Sequence, residues 1–537
     1  MTINNEKYSL IYYTISIVMG IFFSFLVANR FYFIAAMAAL FFISILVLSL
    51  KKLSFFMMIF FVFGILNLYI FFNIKVSSTI IVRIKQCNGY YTIANYEGRN
   101  ISLIGNTDGL EQGMKVYING HFERDINYTY GSIGKFQVNK YKTKSDLLYY
   151  ICSYKNKVYK KLIEDIGESR AAIINSICYG DKKDINPYDK ELLKNLGISH
   201  ILSISGFHMA LFYSFFEKFT GFYGGFFLSV LYILITGGKS SSIRAFIMIF
   251  ILKLSKKRDK KYNPLISLAL SYMIILLIKP YMLFDVGTTI SYLAVLGIIF
   301  FNKKIKYYLY FLNRKLINSV SVCLSTQILT IPYIAIVFNE LNLGFLIGNM
   351  LLIPFYSLLI YLGFLFLILF KLPILFNFNI RITKILFIFI EFIQYNIFKI
   401  NPNIFAIDGI YVILIIISLM ILFLCKKGKI SKKIYIIYVI GVITYNFNVV
   451  PKINYVSKIY IIDYGYTREI ITDYDITDYD EILECINKYK PTIVTTNLNK
   501  MYYKKIFPCG KIYIVKQNNK LKLVMYYYNK KIKEITI

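Results

Sequence analysis

The stretch Gly197–Tyr213, GISHILSISGFHMALFY, is the one on which the reading of this chain turns. It is an apolar run, yet it holds His200 and His208, two of the protein's three histidines, together with three serines and two glycines. Ionisable groups at bilayer depth are costly, and they face a cavity, a pore or a partner instead of lipid. Ser203, Ser205 and Gly206 mark a place where a helix breaks and frees backbone groups. A bilayer tolerates such a break only where protein or water satisfies those groups. The stretch predicts the central part of a polytopic α-helical membrane protein.

The rest of the composition agrees. Hydrophobic residues fill 57% of 537 positions, and apolar runs of spanning length recur along most of the chain, which excludes an ordinary soluble domain. Lys+Arg number 62 against 29 Asp+Glu, a net charge of +33. In a membrane protein that excess belongs largely to cytoplasmic loops, so it does not by itself mean nucleic acid. Trp is absent, leaving the 49 tyrosines to supply an interfacial belt. The apolar stretch after Glu6 and Lys7 has no A-x-A-like cleavage site and reads as a retained anchor. The seven cysteines show no C-x-x-C spacing, so a zinc ribbon is not indicated. A Cys87–Cys152 bridge and two unpaired thiols both remain open.

Three spans are expected first, at about 9–28, 31–50 and 53–73, within an N-terminal transmembrane segment 1–74. Lys51 and Lys52 place the second turn inside, and hence the N-terminus inside and residue 74 outside. Residues 75–145 change character: short β-rich runs (Ser77–Ile84, Arg99–Ile104, Lys115–Phe122) alternate with turns at Asn88-Gly89, Asp108-Gly109 and Asn119-Gly120. This predicts a small antiparallel β domain, OB-like or of another small β type. Tyr90, Tyr91, Tyr96, Tyr128, Tyr130 and nearby lysines form a stacking, basic face for single-stranded nucleic acid on one reading and ordinary strand residues on the other.

Residues 146–196 read as amphipathic helices at the interface, with Lys155, Lys157, Lys160 and Lys161 directed at lipid headgroups. From 197 to 450 ten apolar segments are expected: 197–216, 222–238, 241–254, 264–279, 283–301, 316–338, 343–370, 379–399, 408–425 and 433–450. If all cross, the basic loops Lys253–Lys261, Lys303–Lys306 and Lys426–Lys433 fall on the side of Lys51, and residues 451–537 lie outside with the β domain. Segments 222–238 and 241–254 are short enough to be re-entrant or tilted. Residues 451–537 read as a short α/β tail, with strands at Lys458–Asp463 and Lys511–Lys516 and a helix at Tyr479–Tyr489.

Several residues carry candidate chemistry. On a continuous helix, eight residues separate His200 from His208 by roughly 80° and about 12 Å, too far to share a metal ion. A proton relay, a pore lining and interhelical hydrogen bonding are all open. Gly238-Lys239-Ser240 invites comparison with a phosphate-binding loop, but Ile233 stands where that motif needs its first glycine. Arg244 opens an apolar segment and needs a partner, an aqueous cavity or a route to the interface, and Asp285 is a candidate partner for it or for a histidine. Asn349 and Pro354 sit inside an apolar run, where each is a candidate kink or helix break. Asp473, Asp475, Asp478 and Asp480 lack EF-hand spacing and read as an acidic turn rather than a cation site. With no histidine after His208, a histidine-ligated metal hydrolase site in the tail is excluded, and Ser203-Ile204-Ser205-Gly206 is not a G-x-S-x-G elbow.

GISHILSISGFHM resembles the G-L-S-H-L-L-A-I-S-G-L-H-V stretch of the ComEC/Rec2 family, the DNA-uptake channel proteins of natural competence. The resemblance continues through Gly180-Asp181, Ser241-x-x-Arg244-Ala245, DVGTTISYLAVLGI at Asp285–Ile298 (DVGFQLSFLAVLGI in the family), Pro332 and the Asn349/Pro354 pair. It implies short N-terminal spans, an OB-like outer domain and a transmembrane competence domain over 197–450. It also implies a transport core of Gly197, His200, Ser205, Gly206, His208, Arg244, Asp285, Gly287, Ser291, Asn349 and Pro354, with no catalytic residue, metal or cofactor. Expected partners are single-stranded DNA, membrane lipids, a DNA receptor, a cytoplasmic motor ATPase and a separate nuclease. Many family members end in a β-lactamase-like nuclease domain with an H-x-H-x-D-H motif. Here Ile461–Gly465 resembles only its opening strand, so 451–537 reads as a degenerate remnant. The expected function is a cell-membrane channel for single-stranded DNA. The alternatives are a family fold kept for an assembly role and, below it, a membrane hydrolase using the His/Ser cluster.

Overall fold

The computed structural model describes residues 9–400 apart from 49–50, 88–91, 108, 312, 339 and 343, and beyond 400 mainly the strands between 405 and 536. Two bodies result, Met1–Thr330 with Asn342–Asn403, and Ile331–Leu341 with Ile404–Ile537.

The first body opens with α1 (Ser9–Ala28), α2 (Tyr32–Leu48) and α3 (Lys51–Phe72). Apolar side chains drive no association between helices in lipid, so close crossings need small residues. The α1–α3 crossing has them: the Cα atoms of Gly20 and Gly64 each lie 3.2 Å from where the other's Cβ would be. The helices also show the inverted pattern of a membrane protein. Phe33 and Val47 on α2 are 77% and 78% exposed, whereas Thr14, Ser16, Ser229, Ser271 and Thr383 are buried between helices.

Strands β1 (Thr79–Cys87), β2 (Thr92–Tyr96), β3 (Arg99–Gly105), β4 (Lys115–Asn127) and β5 (Ser132–Lys144) close a barrel in the order β1-β2-β3-β5-β4. Its neighbours are antiparallel except β3 and β5, the arrangement of an OB-like barrel. Alternation sends Val82, Ile84, Ala94, Leu103, Val116 and Val138 inward. Two barrel arginines hold it on the end of α3, whose last carbonyls lack helical partners: Arg99 Nε donates to Phe71 O at 2.6 Å and Arg124 Nη2 to Phe72 O at 3.1 Å. Of the tyrosines considered for stacking, Tyr130 is 72% exposed. Tyr128 instead packs on Phe25 and Phe72, because the barrel's base rests on the helix ends. Tyr90 and Tyr91 lie outside the described residues. Cys87 and Cys152 are both free thiols, so no bridge joins them.

After the barrel, α4 (Leu147–Ile166) is capped by Asp146, which accepts from Tyr149 N at 3.2 Å and from Arg83 Nη1 of β1 at 3.0 Å. One carboxylate thus joins barrel and helix. Lys155 of α4 does not reach for headgroups as expected. It is 2% exposed, and its Nζ donates to Gln112 of the barrel at 3.1 Å, because Val158, Leu162 and Ile166 turn that face of the helix into the core. Next come α5 (Glu168–Ile174), a π-helical turn (Asn175–Tyr179), α6 (Pro187–Asn195) and a 3-10 turn (Ser199–Leu202).

The segment α7 (Gly206–Ile235) is formally continuous but folds back at Gly221, whose φ of 70° and ψ of −174° are not helical. On a straight helix Phe212 and Tyr232 would stand about 30 Å apart. Here their rings stack at 4.3 Å, and Tyr213 meets Phe226 at 4.5 Å. α7 is therefore a hairpin of two short arms, as the separate apolar segments 197–216 and 222–238 predicted. It is followed by α8 (Ser240–Lys257), α9 (Pro264–Ile278), α10 (Val286–Tyr308), α11 (Arg314–Phe338), α12 (Phe345–Leu369) and α13 (Pro373–Ile400). Among the described residues seven helices are long and apolar enough to cross a membrane, α1, α3, α10, α11, α12, α13 and, only if its two arms are counted end to end, α7; α2 and α9 are apolar but shorter. The chain is a mostly helical, multi-pass membrane protein with a small five-stranded barrel. The expected spans at 408–425 and 433–450 lie outside the described residues.

In the second body β6 (Glu340–Leu341) pairs with β7 (Phe405–Ala406). The tail holds one sheet ordered β11-β10-β9-β8 (Ile493–Thr496, Arg468–Thr472, Ile459–Asp463, Lys452–Val456), parallel only between β10 and β11. It also holds an antiparallel meander β12-β13-β14-β15 (Tyr502–Phe507, Gly510–Gln517, Lys520–Tyr527, Lys530–Thr536). The expected helix at Tyr479–Tyr489 and the four clustered aspartates lie outside the described residues.

Candidate functional site: the polar break before the hairpin

Gly197 ends the approach from α6 in a left-handed conformation, φ 71°, and any Cβ there would collide with the Phe345 backbone of α12. The chain then makes the 3-10 turn and runs extended through Ser203 to Ser205, the N-cap of α7. Side chains satisfy the freed backbone. Ser176 Oγ donates to Leu202 O at 2.6 Å and Ser241 Oγ to Ile204 O at 2.7 Å. The Ser205 amide donates to His208 Nδ1 at 3.2 Å, and the Ser205 hydroxyl lies 2.8 Å from the same nitrogen. His208 thus takes the place of the usual Glu in a capping box. The two histidines are not on one helix, so the 80° and 12 Å geometry does not apply. His200 is exposed on the 3-10 turn.

Arg244 comes to this break from α8. It is 7% exposed and packs on Gly206, where a Cβ would lie 3.0 Å from Nη2. The Tyr292 ring stands 5.7 Å from its guanidinium carbon. Asp285 does not pair with it. That carboxylate caps α10, accepting from Thr288 N at 2.7 Å and Thr288 Oγ1 at 2.6 Å, because the first turn of the helix that begins just downstream is its nearest source of donors. Thr288 Oγ1 in turn lies 2.6 Å from Ser240 Oγ, so Asp285 reaches α8 only through two hydroxyls.

The remaining expected residues lie elsewhere. Gly287 is exposed, and a Cβ there would make only ordinary contact with Asp285. Ser291 is half-buried on α10. Asn349 Nδ2 contacts Cys323 Sγ at 3.4 Å, and α12 runs unbroken through Pro354. The expected break at Asn349 or Pro354 is absent, since Pro354 is exposed on a helix that its own neighbours hold.

Three features were missed in the sequence. Lys239 Nζ donates to Gly180 O at 3.1 Å. Burial first, and then the charge of Lys182, bring Lys239 down to about 8. At the barrel, Lys85 donates to Asn100 Oδ1 at 2.6 Å and is brought to about 8 by burial and then by Lys279. In the hairpin, Glu217 pairs with Lys253 of α8 and accepts from Tyr213 at 2.9 Å. A carboxylate inside an apolar run was a legible signal for the last of these.

The class defined here is a polytopic helical membrane protein with a broken, polar stretch in its bundle, bordered by Arg244, and an OB-like barrel. Comparison with known proteins adds that residues 177–429 match the competence protein family model. A stretch of 203 residues is 22% identical to ComE operon protein 3 of Bacillus subtilis, covering 34% of this chain and 24% of that protein. Another of 153 residues is 30% identical to the uncharacterized protein MG316 of Mycoplasma genitalium, covering 25% of this chain and 40% of that one. The matched stretches thus span 24% and 40% of these curated relatives. No solved structure matches.

Proposed function

We propose that this protein takes part in DNA uptake during competence, as a cell-membrane channel admitting single-stranded DNA. The observation that carries this reading is the family segment itself, whose broken stretch gathers Lys239, Arg244, His200 and His208. A polyanion crossing a bilayer needs cations along its path and aromatic faces for its bases. On this reading the barrel and tail lie on the outer face. Four exposed lysines on β5 (Lys135, Lys140, Lys142 and Lys144) meet the strand first. A DNA receptor, a motor ATPase and a separate nuclease are the proposed partners. Ser205 and His208 resemble two members of a hydrolytic triad, but their bonds are those of a helix cap. The free His208 Nε2 meets no third group that would orient a base.

The test is transformation of a competent host lacking its own channel, with membrane insertion checked. The full chain is expected to restore entry of labelled DNA, and His208→Ala and Arg244→Ala to lose it. A well-inserted wild type that moves no DNA would mean a family fold put to another use.

A further inference from the structure

Arg244 is a buried cation without a counter-charge among the described residues. Its Nε is buried with no hydrogen-bond partner, and no described carboxylate pairs with it. Removing one charge from water without its complement is strongly unfavourable. Its Nη2 is directed at Gly206, the first residue of α7, where a side chain would block the approach. The first amides of α7 are taken by the cap, Phe207 N donating to Ser205 Oγ at 3.2 Å, so this terminus adds the positive end of the helix dipole rather than free N–H groups. His208, two residues along, supplies a further donor. Its Nδ1 accepts the Ser205 amide, which places the proton of a neutral ring on Nε2, and Nε2 is buried without a partner. Arg244 Nε and His208 Nε2 are thus two buried donors without an acceptor beside the same helix start.

We propose that Arg244 and the amino terminus of α7, with His208 beside them, form a discrete site for one phosphodiester group. The planar guanidinium suits two oxygens of a phosphate, which a lysine would meet as a point charge. The nucleic-acid assignment rests on the proposed function; the anion chemistry does not.

The experiment follows thermal unfolding of the full chain in maltoside micelles, which contain no phosphate. Inorganic phosphate, the dinucleotide thymidylyl-thymidine and a short-chain phosphatidylglycerol are titrated at constant ionic strength. Phosphate and the dinucleotide are expected to raise the wild-type midpoint saturably. Arg244→Gln should lose that shift, while its midpoint without anion is no lower than wild type because the lone buried charge is gone. Arg244→Lys, which keeps the charge, should show a smaller shift at the same concentrations. Arg170→Gln, which breaks an exposed pair with Glu391, should respond as wild type. No wild-type response to any probe, or an equal response from Arg244→Gln or, if that variant does not fold, from Arg244→Lys, overturns the site. A response to the lipid alone overturns the nucleic-acid assignment. Restored DNA entry with no phosphate response removes this site only. A phosphate response without DNA entry removes the channel reading only.

Discussion

At the scale of single residues, the polar members of the break were legible because each is an exception in an apolar run. Ser205, Gly206, His208 and Arg244 were picked out in this way, and the structure brings them together. Asp285 was misread as a counter-ion because sequence distance says nothing about which donor a carboxylate meets; the D-x-x-T spacing to Thr288 is a helix-cap pattern and was the better guide. A similar cap gives a pH prediction. Arg83's hydrogen bond holds the Asp146 carboxyl down to about 2, from an ordinary value near 4. A lowered folded-state value means stabilisation complete above about pH 4 and lost as pH falls towards about 2. Thermal midpoints followed over that window should fall for wild type and change less for Asp146→Asn. Parallel loss in both would show that the pair contributes nothing.

At the scale of elements, the hairpin is the feature that periodicity alone left open. The chain reads as two apolar segments, 197–216 and 222–238, the second short enough to be re-entrant or tilted, so how they join is left open. The backbone settles it at Gly221, in a region of φ/ψ space that is essentially restricted to glycine. Nothing lies within 4 Å of a Cβ placed there, so the strain of a substitution is conformational and not steric. Gly221→Ala should therefore cost about 1–3 kcal/mol, read as a lowered unfolding midpoint in detergent. An unchanged midpoint would mean that the arms join by another turn. Whether the arms cross or dip and return, the chain emerges on the same side, so the placement of the following basic loops is unaffected.

At the scale of the whole molecule, positive charge collects where barrel meets bundle. Lys85 and Lys239 both lose their protons near pH 8. If DNA passes there, affinity of the full chain for a short single-stranded oligonucleotide should fall as pH rises from about 7 to about 9. Lys239→Gln should weaken binding at neutral pH, lower the salt slope by about 1 and flatten part of that pH response. Affinity independent of both pH and Lys239 would remove these lysines from the path.

The sequence by itself determined the class of the molecule, the inserted β domain and the polar residues of the break. Hydropathy, two-residue alternation and the cost of a charge in lipid are local or compositional effects. Tertiary structure alone decided that Lys155 is buried against Gln112, that Tyr128 packs instead of stacking on a ligand, and that Arg244 faces Gly206 without Asp285. Each depends on which elements meet in space. A side chain's partner is set by the packing of distant segments, and no spacing along the chain encodes it.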